Sequence, residues 1–253
     1  MAFHSPINRV TTMKLYKYRR IDDYTIASIR DSTLWFSSPA DFNDPYDCRL
    51  SMDSYGTKEE WENFLREGFI PDPIIRDLID RRQIHNDLDL AIHKLQAIME
   101  EVRHSLCVCC FSQLNNSIPM WSHYADGHKG ICLEFDSEKD TKLQNIFDVN
   151  YCESFPSITI RNTKEEIMKK LVTSKAKAWN YESECRIFAR GEKGLTKVDR
   201  RSMTGVIFGC SCPLQDKEKV INELRAYVPV PKLYKANTKI DKYEVVIVEC
   251  SEK

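Results

Sequence analysis

A chain of 253 residues with 42% hydrophobic and 30% charged residues can bury a sizeable core without staples, and its 8 Gly and 10 Pro exclude a collagen-like, mucin-like or low-complexity protein. Its 37 basic and 38 acidic residues leave a formal net charge of −1, which argues against a main affinity for bulk duplex nucleic acid, since that affinity is built from many Lys and Arg set against phosphates. No run approaches the roughly 18 apolar residues that span a bilayer, and Met1–Met13 has no apolar stretch of the secretory type. The expected setting is therefore the cytoplasm, with no membrane partner.

In chain order, Met13–Arg19 reads as an opening strand, and Asp22 or Asp23 can cap a helix running to about Asp31. Leu34–Phe36 is a second short strand that runs into Ser37–Asp47, where Pro39, Asn43, Asp44 and Pro45 forbid regular structure. Thr57 with Glu60 makes a capping box, Asp72-Pro73 a cap with proline at the first helical position, and Asn86 to about His104 has apolar residues at helical spacing. Residues 57–104 thus read as a helical insertion. Strands follow at Ser105–Ser112, Lys129–Phe135 and Ile146–Tyr151, then a helix from Thr163 to about Ala178. Strands at Glu184–Arg190, Gly205–Phe208, Pro231–Ala236 and Tyr243–Glu249, with a helix over Leu214–Tyr227, complete the pattern. Strands that succeed each other with little helix between them imply antiparallel pairing. The expectation is a single α+β domain over 1–253, with an ordered core over 13–249 and a mixed, mostly antiparallel sheet.

Ten cysteines without a secretory segment read as reduced thiols. Cys107 and Cys110 form a C-x-x-C, but within a strand that spacing sends the two side chains to opposite faces, so no zinc and no disulfide is expected.

Three segments carry more than packing. The first, Phe42-Asn43-Asp44-Pro45-Tyr46-Asp47, is ordinarily an Asx turn; its functional reading is a loop that sets Asn43 and Asp44 at a cleft. The second, Met120–Gly130, packs Trp121, Ser122, His123, Tyr124, Asp126 and His128 together. One helical turn puts Trp121 and Tyr124 on one side as a wall for a flat ring, while His123 and His128, five apart, are badly spaced for one metal. A structural turn with an aromatic plug is the plainer reading. In the third, Trp179–Phe188, an extended strand would project Glu182, Glu184 and Arg186 to one face, as a surface ion pair or as a charged cleft wall.

The segments LYKYR, LWFSSPADFNDPYD, WSHYADGHKGICLEFD, KAWNYESECRIF, GVIFGCSCP and KLYKANTKIDKYEVVIV together resemble a bacterial family known as domain of unknown function 2971. The order of elements is also similar to the ADP-ribosyltransferase superfamily. That second resemblance implies a split antiparallel sheet that holds NAD, with a basic or histidine residue on the first strand, a serine or tyrosine in the middle and a late glutamate. On this chain it implies Arg19 (or Lys17) against the pyrophosphate, Ser112 at the end of the strand that closes in Phe111-Ser112, Tyr124 stacked on the nicotinamide, and Glu182 and Glu184 as the catalytic pair. The chain departs from that pattern in reading SQL after Phe111, where the superfamily has a Ser-Thr-Ser triplet, and in lacking a first-strand histidine. Trp121, Asn43, Asp44 and Arg186 complete the expected ligand-binding set.

The implied chemistry is NAD-dependent ADP-ribosyl transfer or NAD hydrolysis by a toxin or defence effector, with a protein or nucleic-acid acceptor. Cleavage of the nicotinamide–ribose bond passes through an oxocarbenium-like state, which a nearby carboxylate stabilises. On that reading Glu184→Gln is expected to abolish turnover while folding survives. Two other classes stay open: a non-catalytic ligand- or nucleic-acid-sensing module, and a nuclease whose Asp44, Asp47, Glu182 and Glu184 gather a divalent metal.

Overall fold

The structure, a computed structural model, describes residues 13–53, 55–66, 96, 99–190 and 193–250. In chain order its elements are β1 (Lys14–Arg19), α1 (Asp23–Asp31), β2 (Thr33–Phe36), β3 (Ser51–Met52), α2 (Lys58–Arg66), β4 (Leu106–Ser112), α3 (Ile118–Tyr124) and β5 (Ile131–Asp136). Then come β6 (Phe147–Asp148), β7 (Asn150–Cys152), β8 (Ser157–Ile158), α4 (Lys164–Thr173), β9 (Ser174–Ala176), β10 (Glu184–Arg190), β11 (Gly194–Lys197), β12 (Met203–Phe208), α5 (Leu214–Leu224), β13 (Lys232–Thr238) and β14 (Val245–Glu249). This is an α+β fold. Eight strands form one sheet in the order β14-β13-β12-β5-β1-β4-β10-β6, antiparallel at every junction except the parallel β12–β13 pair. No helix among the described residues is long and apolar enough to cross a membrane.

The caps follow the sequence chemistry. Asp22 accepts the Thr25 amide at 2.8 Å and starts α1, and Thr163 and Glu166 form a reciprocal capping box on α4. Thr57 and Glu60 cap α2 in the same way. The expected Asp72-Pro73 start and the body of the 86–104 helix lie outside the described residues, although residues 99–105 are helical. Several expected elements are shorter than their patterns, among them the helix over Leu214–Tyr227, which ends at Leu224. The helix opened by Thr163 stops at Thr173, because residues 174–176 pair with β7 as β9. The Ile146–Tyr151 strand is divided, its first part on β10 and its second on β9.

Alternation along the central strands sorts side chains into two layers. On one face Leu15, Cys107, Cys109, Phe111, Ile131, Leu133, Phe135, Cys185 and Ile187 join Ile29 of α1 and Val220 and Leu224 of α5 in one continuous apolar cluster. On the other face the described residues form two separate clusters. One gathers Tyr16, Tyr18 and Cys132 under Met120 and Trp121 of α3; the other gathers Leu106, Val108 and Cys110 under Met168, Leu171 and Val172 of α4. Cys107 and Cys110 accordingly belong to opposite faces.

The boundary between those two clusters is where the sheet parts. β1 runs against β5 over six paired residues and β10 against β4 over seven, yet β1 and β4 share one pair, Tyr16 opposite Ser112. Past that point Ser37 takes the strand's place, exchanging both backbone bonds with Val108 at 3.0 and 2.8 Å.

Candidate functional site

A cleft with about 220 Å³ of room opens where β1 leaves β4. Tyr16, Lys17, Tyr18 and Arg19 of β1 line it from one side and Val108, Cys110, Phe111 and Ser112 of β4 from the other. Phe42, Asn43 and Asp47 come from the first segment, Met120 and Tyr124 from the second, and Glu182 and Glu184 from the third, so the three segments border one space. Asn43 bonds Tyr124 directly, its Nδ2 donating to the phenol oxygen at 3.3 Å.

The floor is a cluster of five charged side chains, each at most 7% exposed: Asp47, Lys175, Glu182, Glu184 and Arg186. Arg186 grips two carboxylates with its fork. Its Nε and Nη2 donate to Glu184 at 2.7 and 3.0 Å, and its Nη1 and Nη2 donate to Asp47 at 2.8 and 2.7 Å. A further bond from Nη1 to the Val172 carbonyl at 2.8 Å leaves the guanidinium saturated, with Phe42 packed over it. Lys175 fills the centre of the group, its Nζ 2.5 Å from Glu182 Oε2, 2.8 Å from Glu184 Oε2 and 3.6 Å from Asp47 Oδ2. The other Glu182 oxygen accepts the Tyr124 hydroxyl at 2.7 Å.

The two glutamates are driven in opposite directions. Burial alone raises a carboxyl, but the charges of Arg186 and then Lys175 overcome it at Glu184 and hold that group down to about 2. At Glu182 burial wins over Lys175 and the Tyr124 bond, so its carboxyl sits above the ordinary glutamate value. Burial and then the bond to Glu182 push the Tyr124 phenol up as well, which keeps it a donor. Burial works against the charge of Lys175, but Glu184, Asp47 and Glu182 outweigh it and hold the ammonium protonated. The two carboxyl groups are thus pushed apart in proton affinity, Glu184 downward and Glu182 upward, the kind of difference by which paired carboxyl groups divide acid–base roles.

Local geometry departs from the sequence expectation in the third segment. Residues Lys177–Glu182 form a 3-10 turn, and Ser183 adopts a left-handed conformation with φ 42° before β10 begins. Ser112 stabilises the turn by donating its hydroxyl to the Glu182 carbonyl at 2.6 Å, with Gln113 N donating to the Ser183 carbonyl at 2.8 Å. Glu182 and Glu184 therefore meet through Lys175 and not through strand alternation.

Several expected ligand contacts fall elsewhere. Trp121 is fully buried in the α3 cluster, edge-on to Tyr18, with its Nε1 donating to the Asn115 carbonyl at 2.9 Å; α3 turns that side toward the sheet, so Tyr124 alone of the pair reaches the cleft. Asp44 is buried and outside the cleft lining, its Oδ1 accepting the Tyr46 amide at 2.8 Å in an Asx turn. Arg186 lies beneath the lining, where it supports Glu184 and Asp47. Its grip makes Glu184→Gln a test of folding as well as of turnover. Arg19 is half-buried on the cleft wall, whereas the Lys17 ammonium donates to the Cys110 carbonyl at 2.8 Å. His123 faces Tyr124 and Tyr181, and His128 stacks on Trp121 with Nε2 against Ser122 Oγ at 3.2 Å, so the two histidines serve different neighbours. The place a divalent ion would take among Asp47, Glu182 and Glu184 is filled by Lys175 Nζ.

Sequence reasoning missed Lys175 altogether. Its one signal was position: a lysine seven residues before Glu182, next to a helix end.

A family model described as protein of unknown function (DUF2971) matches residues 120–187. The match supports that family. It begins on α3 and ends one residue past Arg186, so it takes in Tyr124, Lys175, Glu182 and Glu184. No curated protein and no solved structure matches the chain.

Proposed function

We propose that the cleft binds a nicotinamide dinucleotide and cleaves its nicotinamide–ribose bond, in the manner of the ADP-ribosyltransferase superfamily, passing the ribosyl group to water or to a protein or nucleic-acid acceptor. The observation that carries this reading is the buried glutamate pair on the cleft at the parting of the sheet, Glu182 and Glu184 joined through Lys175 Nζ at 2.5 and 2.8 Å. Departure of nicotinamide leaves positive charge on the ribose, and the fixed charge of Glu184 lowers the energy of that state more than that of the neutral ribose. Glu182, bonded to the Tyr124 hydroxyl, is suited to take the proton of the attacking hydroxyl. Arg19 offers a fork for the pyrophosphate, and Tyr124 a ring for the nicotinamide.

A second reading, a binding module without turnover, is favoured by the saturation of Glu184, whose two oxygens are already engaged by Arg186 and Lys175. Nicotinamide release decides between them. Full-length protein incubated with NAD, alone and with cell extract or nucleic acid, is expected to liberate nicotinamide, and Glu182→Gln to slow it roughly 10²-fold in kcat with little change in KM. NAD that binds and stays intact under every condition would establish the binding module instead.

A further inference from the structure

The floor of the cleft holds an odd number of charges. Asp47, Glu182 and Glu184 bring three carboxylates, Lys175 and Arg186 two cations, and all five are buried. Arg186 is fully committed to Asp47, Glu184 and the Val172 carbonyl, so Glu182 depends on Lys175 and Tyr124. Lys175 reaches all three carboxylates because α4 stops at Thr173 and β9 then pairs in parallel with β7, with Lys175 opposite Tyr151. Tyr151 Oη accepts the Glu184 amide at 2.8 Å, and the Trp179 ring lies 5.2 Å from Lys175 Nζ on the other side. A compact ammonium with three donors suits this place, since it serves several carboxylates at once without imposing a fork of its own.

We propose that Lys175 is the positioning residue of this site: it ties Glu182 and Glu184 together across the Ser183 turn and, with Tyr124, makes Glu182 the carboxylate that exchanges a proton with the reacting ligand. This rests on the function proposed above. In the hydrolytic step the bond between ribose C1 and the nicotinamide nitrogen breaks, and nicotinamide leaves with the electron pair. The oxygen of water forms the new bond to C1, and the water proton passes to a Glu182 oxygen and then to solvent. Glu184, held by Arg186 and Lys175, keeps its charge throughout.

The groups that face Glu182 are few. Tyr124 approaches from α3, Lys175 from β9, Glu184 from β10 and Tyr151 from β7, with Tyr181 in its own turn; Asn43 acts through Tyr124, and Asp47 and Arg186 through Lys175 and Glu184. Lys175 and Tyr124 both favour the charged form of Glu182. Loss of either must move its proton affinity upward.

Carbon-13 spectroscopy of the full chain labelled at glutamate carboxyls, titrated without ligand, reads this directly. Tyr124→Phe and Lys175→Met are each expected to raise the Glu182 midpoint, by about one pH unit or more for Lys175→Met, a tenfold change in proton affinity. Lys175→Arg is expected to keep the charge but lose the geometry, lowering kcat for nicotinamide release at nearly unchanged KM. Where Lys175→Met fails to fold, Tyr124→Phe and Lys175→Arg decide. A Glu182 midpoint unmoved in Tyr124→Phe, or a Lys175→Arg variant with wild-type kcat and titration, overturns the proposal. Variants that show the expected titration shifts beside a wild type that releases no nicotinamide refute the proposed reaction and leave the carboxylate pairing standing.

Discussion

The two faces of the central sheet solve the same packing problem differently. Under α1 and α5, Leu15, Phe111, Leu133, Phe135 and Ile187 bury one unbroken apolar layer. Under α3 and α4 the layer is interrupted, with two apolar clusters on either side of Asp47, Lys175, Glu182, Glu184 and Arg186. An apolar layer stabilises in proportion to the area removed from water. A buried ionic cluster does not, because desolvation consumes most of its Coulomb gain, and well-packed apolar residues of equal volume often do as well or better. The interrupted face thus gives up stability that the continuous face supplies. It does so at the parting of β1 from β4, beside the open cleft in which the proposed function places its site.

Substitutions on the two faces should separate these roles. The largest effect is expected from Arg186→Met, which leaves Asp47 and Glu184 buried with Lys175 as their one remaining cation and should cost about 4 kcal/mol of unfolding free energy. Denaturant unfolding checks it; a loss under about 1 kcal/mol would mean that the cluster is far more hydrated than its burial implies. Next comes Leu133→Ala on the continuous face, 5% exposed, where lost transfer energy and the cavity left behind should cost about 3 kcal/mol with NAD binding unaltered. Weakened binding in that variant would show that the two faces are not independent.

The parts of this arrangement that were legible in the sequence are those set by local pattern. Glu184–Arg190 was placed at its observed limits, the strands Met13–Arg19 and Ser105–Ser112 and the helix that ends at Asp31 within a residue or so, and the capping boxes at Thr57 and Thr163 from residue types alone. The three segments, each a mixture of aromatic and charged residues, also border one cleft. What stayed hidden is set by long-range contact. Lys175 falls inside the helix expected to run to about Ala178, and the pairing of β9 with β7 draws it inward. Trp121 and Tyr124 share a helix side by spacing, but packing of α3 on the sheet buries Trp121 in the core and leaves Tyr124 at the cleft. The strand expected through Glu182 breaks at Ser183, a left-handed residue that no glycine announces. The parting of β1 from β4, with Ser37 in its place, is a fact of register between residues far apart in the chain.

The smallest effect on stability and the largest on function should come together at Glu182, and measuring both on one variant is the most direct test of the interrupted face as a working site. Glu182→Gln keeps one oxygen to accept from Lys175, turns its amide nitrogen toward the Tyr124 hydroxyl oxygen and removes the odd charge, so its melting temperature should stay within about 2 °C of the wild type, or rise, as a change of about 1 kcal/mol or less implies for a chain of this size. The same variant should lose nicotinamide release. A Glu182→Gln protein that melts as early as Arg186→Met, or that releases nicotinamide at the wild-type rate, would contradict the account and return the cluster to a structural ion network.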